Sequence, residues 1–293
     1  MPSPRHPGTP APPPNPRQLI LNLLLAAGEA PLSARDLVAS CALLGIRENS
    51  TRVALARLAA ARRVEADGRG TWRLGPDAAS LAADVATWRQ AGSRLRAWRG
   101  DWVAVHVGAL GRSDRVALRA RERALSLLGL RELDSGFHVR PDNLAGGVSA
   151  ARERLHKLGL ESTAAVFLAR DFDGEREQRA RALWDTRALD SGYRSTTRQL
   201  ERWLAQADSL DVQTAARESF LLGNAAIRQL VFDPLLPAPL VDADARSAFI
   251  DAVRRFDSAG QRIWRSLWQG ARPDATPLAR TTPTARRRRP ENP

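Results

Sequence analysis

The chain has 293 residues, enough for two globular units with room for a small third. Its formal net charge of +13 comes almost entirely from arginine, since Lys157 is the only lysine, and this excess favours a polyanionic partner such as nucleic acid. The single cysteine, Cys41, excludes an intramolecular disulfide, and the lack of a long apolar run argues against a membrane span. We therefore expect a cytoplasmic protein.

Part of the positive charge belongs to the two ends. Residues 1–16 are rich in proline and lack the apolar region of a signal peptide, so they are predicted to be a disordered tail. Residues 270–293 include four consecutive arginines at 286–289 and are predicted to be a disordered basic tail. Coding bias is the alternative source of an arginine-rich, lysine-poor composition.

Three amphipathic helices are predicted after the first tail. Residues 17–27 form an apolar stripe that ends at Gly28, and Ser33 is a suitable N-cap for a second helix over 34–44. A third helix is capped by Asn49 or Ser50 and runs to about residue 61. The residues expected to face inward from the third helix are Val53, Ala54, Leu55 and Leu58.

A β-hairpin is predicted directly after these helices. Residues 63–65 and 71–74 flank Asp67-Gly-Arg-Gly70, in which glycine can supply the positive φ of a tight turn. Helix, helix, turn, helix and hairpin is the order of a winged helix-turn-helix. The sequence therefore predicts a DNA-binding domain over residues 17–76.

The outward face of the third helix and the hairpin carry the candidate DNA contacts. Residues 43–73 contain seven arginines against three acidic residues, and arginine can bind both phosphates and guanine edges. An ordinary solvated helix face is the alternative reading of the helix alone. The residues predicted to contact DNA are Asn49, Ser50, Thr51, Arg52, Arg57, Arg69 and Arg73.

Three further regions follow. Residues 77–99 have the periodicity of an amphipathic connector helix. Residues 100–173 alternate short apolar strands with helices in the order β-α-β-α-β. Residues 131–140 are predicted to be extended with a break at Gly136, and the order matches a ferredoxin-like or split βαβ module that lacks or obscures its last strand. Residues 174–269 show helical periodicity only. The predicted fold class is a multidomain α+β protein with a C-terminal all-α domain.

Enzymatic motifs and metal-ligand spacings are missing from the sequence. The four histidines lie far apart, and no phosphate-binding loop or nucleophile elbow occurs, so we expect no catalytic residue, metal site or cofactor. The alternative function is a metal-dependent nuclease that uses the central module, with Asp101 or Asp171 as an acidic ligand. The first strand of this module has no aspartate at its end, which argues against that function. A protein-binding adaptor is a third possibility.

The C-terminal region contains a proline-fixed segment, Asp233-Pro-Leu-Leu-Pro237. Asp233 is expected to accept backbone hydrogen bonds, and Arg228 on the preceding helix is close enough in sequence to pair with it. The segment is either a fixed corner between two helices or the wall of a pocket for an anionic effector. The arginines that would meet such an effector are Arg194, Arg198, Arg202 and Arg228.

Several motifs together resemble the PaaX family of bacterial transcriptional regulators. They cover residues 18–268 and occur in the order in which that family has them. They are Ser50-Thr-Arg52-Val-Ala-Leu55-Ala-Arg57-Leu58, Gly100-Asp-Trp102, Leu128-Gly-Leu130 leading to Gly136-Phe-His-Val-Arg-Pro141, and Asp233-Pro-Leu-Leu-Pro237.

This resemblance implies a winged-helix domain, a regulatory central module similar to the Cas2 nuclease fold, and a helical C-terminal domain. It also implies a homodimeric repressor of phenylacetate or related catabolic genes, which binds an operator in double-stranded DNA and is released by an aryl- or acyl-CoA such as phenylacetyl-CoA. One departure concerns the effector domain. After Pro237 the family has a second Leu-Pro followed by Trp-x-Gly, whereas here Pro239-Leu240 leads into a helix.

Overall fold

A computed structural model of the chain describes residues 15–28, 30–78, 89, 92–111 and 113–270. Seven strands form two sheets within these ranges, and long helices make up the C-terminal part. The predicted mixed α+β class with a helical C-terminal region is confirmed. No helix in the same ranges is long and apolar enough to cross a membrane.

The N-terminal unit contains three helices and a small sheet. Its elements are α1 (Pro16–Ala27), β1 (Leu32–Ser33), α2 (Ala34–Leu43), α3 (Glu48–Ala60), β2 (Val64–Ala66) and β3 (Thr71–Leu74). The sheet is antiparallel, with β3 between β1 and β2. At the start of α2, Ser33 and Asp36 form a reciprocal capping box, so the predicted cap is confirmed.

Helix α3 begins earlier than predicted. Its N-cap is Arg47, which makes no side-chain cap hydrogen bond, while Asn49 and Ser50 lie inside the first turn. The prediction of Asn49 or Ser50 as the cap was therefore wrong. The helix continues upstream because the amide of Thr51 already donates to the carbonyl of Arg47, at 3.1 Å.

The central unit is a four-stranded antiparallel sheet with two helices. Its elements are β4 (Trp102–His106), α4 (Arg115–Leu127), β5 (Arg131–Asp134), β6 (Phe137–Pro141), α5 (Gly147–Lys157) and β7 (Ala165–Ala169), and the strand order is β5-β6-β4-β7. The extended segment predicted over 131–140 with a break at Gly136 forms two strands, so the prediction that the last strand is missing or obscured was wrong. Gly136, at φ 71°, turns the chain into a hairpin whose two strands pair with each other.

The two faces of the central sheet bury different partners. Val103 and Val105 of β4 pack with Leu155 and other apolar residues of α4 and α5. Trp102 and Ala104, which alternate with them, belong to the core shared with the C-terminal helices. The sheet therefore lies between its own two helices and the C-terminal region.

The C-terminal region consists of α6 (Gly174–Arg181), α7 (Thr186–Gln206), α8 (Val212–Val231) and α9 (Ala243–Gly270). Helix α9 packs against both α7 and α8. Asp185 and Asp211 cap α7 and α8 through their side chains. Helices α7, α8 and α9 each bury one apolar face, as the sequence periodicity predicted, whereas α6 buries only Ala180.

Some predictions fall wholly or mainly outside the described residues. The two tails do so apart from Asn15 and Pro16 at one end and Gly270 at the other, and so does most of the connector helix predicted over 77–99. The described end of that connector is a 3-10 turn, Gly92–Arg94, after which Leu95 forms an isolated bridge with Leu144.

Candidate nucleic-acid interface

The exposed face of α3 is built by the packing of its other face. Thr51, Ala54, Leu55 and Leu58 are buried, and the last three belong to the core of the N-terminal unit. The side chains that remain exposed recur once per turn and lie on the side of α3 away from this core. They are Glu48, Asn49, Arg52, Val53, Ala56, Arg57 and Ala60.

Two predicted side-chain positions on α3 were wrong. Thr51, predicted to contact DNA, is fully buried. Its hydroxyl lies 3.4 Å from the carbonyl oxygen of Arg47 and also forms a hydrogen bond with the Cys41 side chain. Burial raises the pKa of the Cys41 thiol, and the Thr51 hydrogen bond opposes that rise. Val53, predicted to face inward, is 43% exposed. Both errors follow from a helix that is rotated slightly relative to the predicted apolar stripe.

Two of the candidate arginines are engaged in ion pairs on the surface. The Arg52 guanidinium lies 2.7 Å from the Glu48 carboxylate one turn earlier. Arg73 lies 2.8 Å from Glu65 on the neighbouring strand and 3.5 Å from Asp67 in the turn. Exposed pairs of this kind contribute only about 0–1 kcal/mol, so they do not prevent either arginine from exchanging its carboxylate for a phosphate.

Arg57 and Arg69 are exposed and make no ion pair or side-chain hydrogen bond with the described part of the chain. Arg57 lies in the last turn of α3, where a cation complements the helix dipole. Arg69 lies in the turn between β2 and β3, with Gly68 and Gly70 on either side at positive φ. The N-terminal unit thus presents one cation on a helix face and one at a hairpin tip, neither of them paired within the described ranges.

The side of this unit near α1 and α2 is covered by the C-terminal helices. The indole Nε1–H of Trp268 on α9 donates to Ser40 Oγ on α2 at 3.1 Å, and both residues are buried. Asn22 on α1 donates to Asn224 on α8 at 3.1 Å. Ala216 and Trp264 complete the shared core. The N-terminal unit is therefore anchored through α1 and α2, which leaves the outer face of α3 exposed.

The four arginines predicted to meet an effector do not share one set of partners. The Arg194 guanidinium is paired with Asp242, and Arg202 Nε donates to the carbonyl of Arg198 at 3.2 Å. The Arg228 guanidinium lies 6.0 Å from the centre of the exposed Phe232 ring. The geometry thus gives no common pocket formed by these four residues.

Asp233 is buried, and its charged neighbours differ from the predicted one. Among the described residues, Arg228 and Asp233 do not form the predicted ion pair. The cations near Asp233 are instead Arg246 on α9 and Arg140 on β6. Asp233 Oδ1 accepts from the amide of Leu235 at 2.7 Å, and the buried Tyr193 side chain is a close neighbour of the Asp233 carboxylate. Arg228 misses Asp233 because its side chain is on the exposed side of α8.

Burial governs the ionisation of this cluster. Burial raises the pKa of Asp233 and that of the Tyr193 hydroxyl, which the Asp233 charge raises further. Burial and the nearby Arg94 lower the pKa of Arg140 to about 10. Arg140 remains protonated at neutral pH and donates to Pro141 O at 3.1 Å, to Asn143 Oδ1 at 2.9 Å and to Leu128 O.

The two aspartates considered as ligands for a catalytic metal are Asp101 and Asp171. Asp101 pairs with Arg170 at 3.2 Å, and Asp171 is exposed at a positive φ of 58°. Within the described residues, no group of three or more histidine, cysteine, aspartate or glutamate side chains is arranged to hold a metal ion.

Comparison with known proteins identifies the C-terminal region. Residues 184–266 match the family described as PaaX-like protein C-terminal domain. This stretch resembles the PaaX C-terminal domain, and we refer to it as the PaaX-like domain. The predicted resemblance to the PaaX family is thereby confirmed, and it relates the chain to a family of transcriptional regulators. Comparison with curated proteins found no match.

The PaaX-like domain contains α7, α8 and most of α9, together with the Tyr193, Asp233 and Arg246 cluster. A structural likeness extends further along the chain. The uncharacterized protein Rv0674 from Mycobacterium tuberculosis shares 26% sequence identity, with a TM-score of 0.57, over 87% of this chain and 99% of its own. The likeness therefore includes regions outside the PaaX-like domain.

Proposed function

We propose that this chain is a DNA-binding transcriptional regulator and that its N-terminal unit is a winged helix-turn-helix. In this proposal α3 enters the major groove, and the β2–β3 hairpin is the wing that contacts the phosphate backbone. The observation that carries the proposal is the exposed face of α3, where Arg57 pairs with no residue that the structure describes, beside a hairpin tip that presents Arg69.

The central unit is proposed to be a ferredoxin-like, Cas2-like module that has a structural role. The strand order β5-β6-β4-β7 with two helices on one face supports this assignment. The other face of the sheet is packed against the PaaX-like domain. The module would therefore hold the effector domain in a fixed position and perform no chemistry.

The regulator is proposed to be a cytoplasmic homodimeric repressor of a catabolic operon. Two copies of α3 would contact two half-sites of a partly palindromic operator. An anionic acyl-CoA-type effector, such as phenylacetyl-CoA, would bind the PaaX-like domain and release the DNA. The family relationship of residues 184–266 supports both parts of this proposal.

Selection of duplexes from fragmented genomic DNA, followed by measurement of the dissociation constant, tests the proposal. We expect Arg57→Ala to weaken binding of the selected duplex by about 1–3 kcal/mol, because an arginine contact to a base or phosphate is lost. Arg57 is exposed and pairs with none of the described acidic side chains, so its removal leaves no described charge buried and unpaired.

Arg187→Ala is the matched control, since Arg187 is an exposed arginine on α7 and its removal changes the net charge equally. Arg69→Ala is expected to weaken binding to all duplexes alike, because the wing contacts phosphates. Equal affinities of the Arg57→Ala and Arg187→Ala variants would show that α3 does not contact the duplex.

A further inference from the structure

Val53 is a large apolar side chain on the exposed face of α3. It is 43% exposed, and it does not belong to the core of the N-terminal unit, whether among its buried or its partly buried members. Its neighbours in the same row are Asn49 one turn earlier and Arg57 one turn later. Packing within the chain therefore does not explain an aliphatic residue at this position.

The row Asn49, Val53 and Arg57 matches the chemistry of base edges in the major groove. The thymine 5-methyl is the apolar group there, and an asparagine side chain can donate from its amide to adenine N7 while its Oδ1 accepts from the adenine N6 amino group. Residues four apart on a helix are separated by about 6 Å along its axis. Adjacent base pairs are about 3.4 Å apart, so Asn49 and Val53 would meet base pairs one or two steps apart.

We propose that Val53 determines sequence specificity by packing on the methyl group of a thymine, with Asn49 on an adenine one or two base pairs away. This inference rests on the proposed binding of α3 to duplex DNA and adds the class of base that is read. Arg52 lies in the adjacent row, where it pairs with Glu48, and Val53 remains 43% exposed beside it.

Replacement of thymine by deoxyuridine removes only the 5-methyl group and provides the test. The wild-type chain first selects its site from random duplexes, and each thymine of that site is then replaced in turn. We expect one replacement to weaken binding about fourfold, the value for one buried methyl group. Val53→Ala should weaken binding of the thymine duplex by a similar factor and bind the thymine and deoxyuridine duplexes equally.

Val212→Ala is the matched control, because Val212 is 45% exposed at the start of α8 and lies outside α3. This variant should keep the full deoxyuridine effect. The proposal is overturned if no replacement weakens wild-type binding, or if Val53→Ala retains the effect, while duplex binding itself persists. A wild-type chain that binds no duplex would instead overturn the proposed function, and this inference with it.

Discussion

At the scale of single residues, the structure differs most from the sequence prediction around Asp233. Sequence spacing indicated Arg228 as its partner, but the cations near Asp233 come from β6 and from α9. Arg246 donates to the carbonyl of Leu236, and Asn143 donates to that of Leu235 at 2.7 Å, so the proline-fixed segment is held from both sides. Such partners lie far apart in sequence, and no local pattern predicts them.

The raised pKa of Asp233 makes stability depend on pH in a definite direction. Burial favours the protonated carboxyl in the folded state, so that state binds more protons than the unfolded chain at pH values above 3.8, the ordinary value for aspartate. The free energy of unfolding should therefore fall as pH rises from 3.8 through the raised pKa. Asp233→Asn should lose this component of the pH dependence.

Urea denaturation at a series of pH values, from acidic to neutral, measures this effect. Asp208→Asn is the control, because Asp208 is an exposed aspartate in the 3-10 turn Ala207–Ser209. If the stability of Asp233→Asn varies with pH in parallel with that of the wild-type and control proteins, buried Asp233 does not contribute to the pH dependence.

At the scale of secondary-structure elements, local signals predicted most boundaries. Ser33 and Asp36 have the spacing of a capping box, and the structure contains one. The hairpin at Gly136 was missed, because a single glycine within an extended segment indicates a break without showing that the chain reverses. The rotation of α3 was missed because polarity predicted the wrong side for two residues. The polar Thr51 is buried, and the apolar Val53 is exposed.

Helix α9 connects two distant parts of the molecule. Arg246 near its start contacts the proline-fixed segment, and Trp268 near its end contacts α2. These residues are separated by about 33 Å at the helical rise of 1.5 Å per residue. A single helix therefore contacts both the proline-fixed segment and the N-terminal unit.

A double-mutant cycle measures the strength of this anchor. Trp268→Phe keeps an aromatic ring but removes the indole N–H, and Ser40→Ala removes the acceptor. Each variant should lower the free energy of unfolding by about 1 kcal/mol, because a buried hydrogen bond is lost and its partner is left unsatisfied. The two effects should be less than additive. Strict additivity in urea denaturation would mean that the two side chains do not interact.

At the scale of the whole molecule, the packing joins units that the sequence treats as separate. One core includes Trp102 of the central sheet and Phe249 of α9, and another includes Leu37 of α2 and Trp264 of α9. The periodicity of α9 showed that it is amphipathic but did not show which partners its face covers. Fold class was thus predictable from local pattern, whereas the arrangement of units depends on long-range contacts.

The central claim is that the N-terminal unit binds duplex DNA through cations on α3 and the hairpin. The most direct measurement is the dissociation constant of the selected duplex as a function of salt concentration, for the wild-type chain and for Arg69→Ala. We predict that affinity falls steeply with rising salt and that Arg69→Ala reduces the slope of log K against log salt by about 1. An affinity that does not change with salt, or an undetectable affinity at low salt, would contradict the claim.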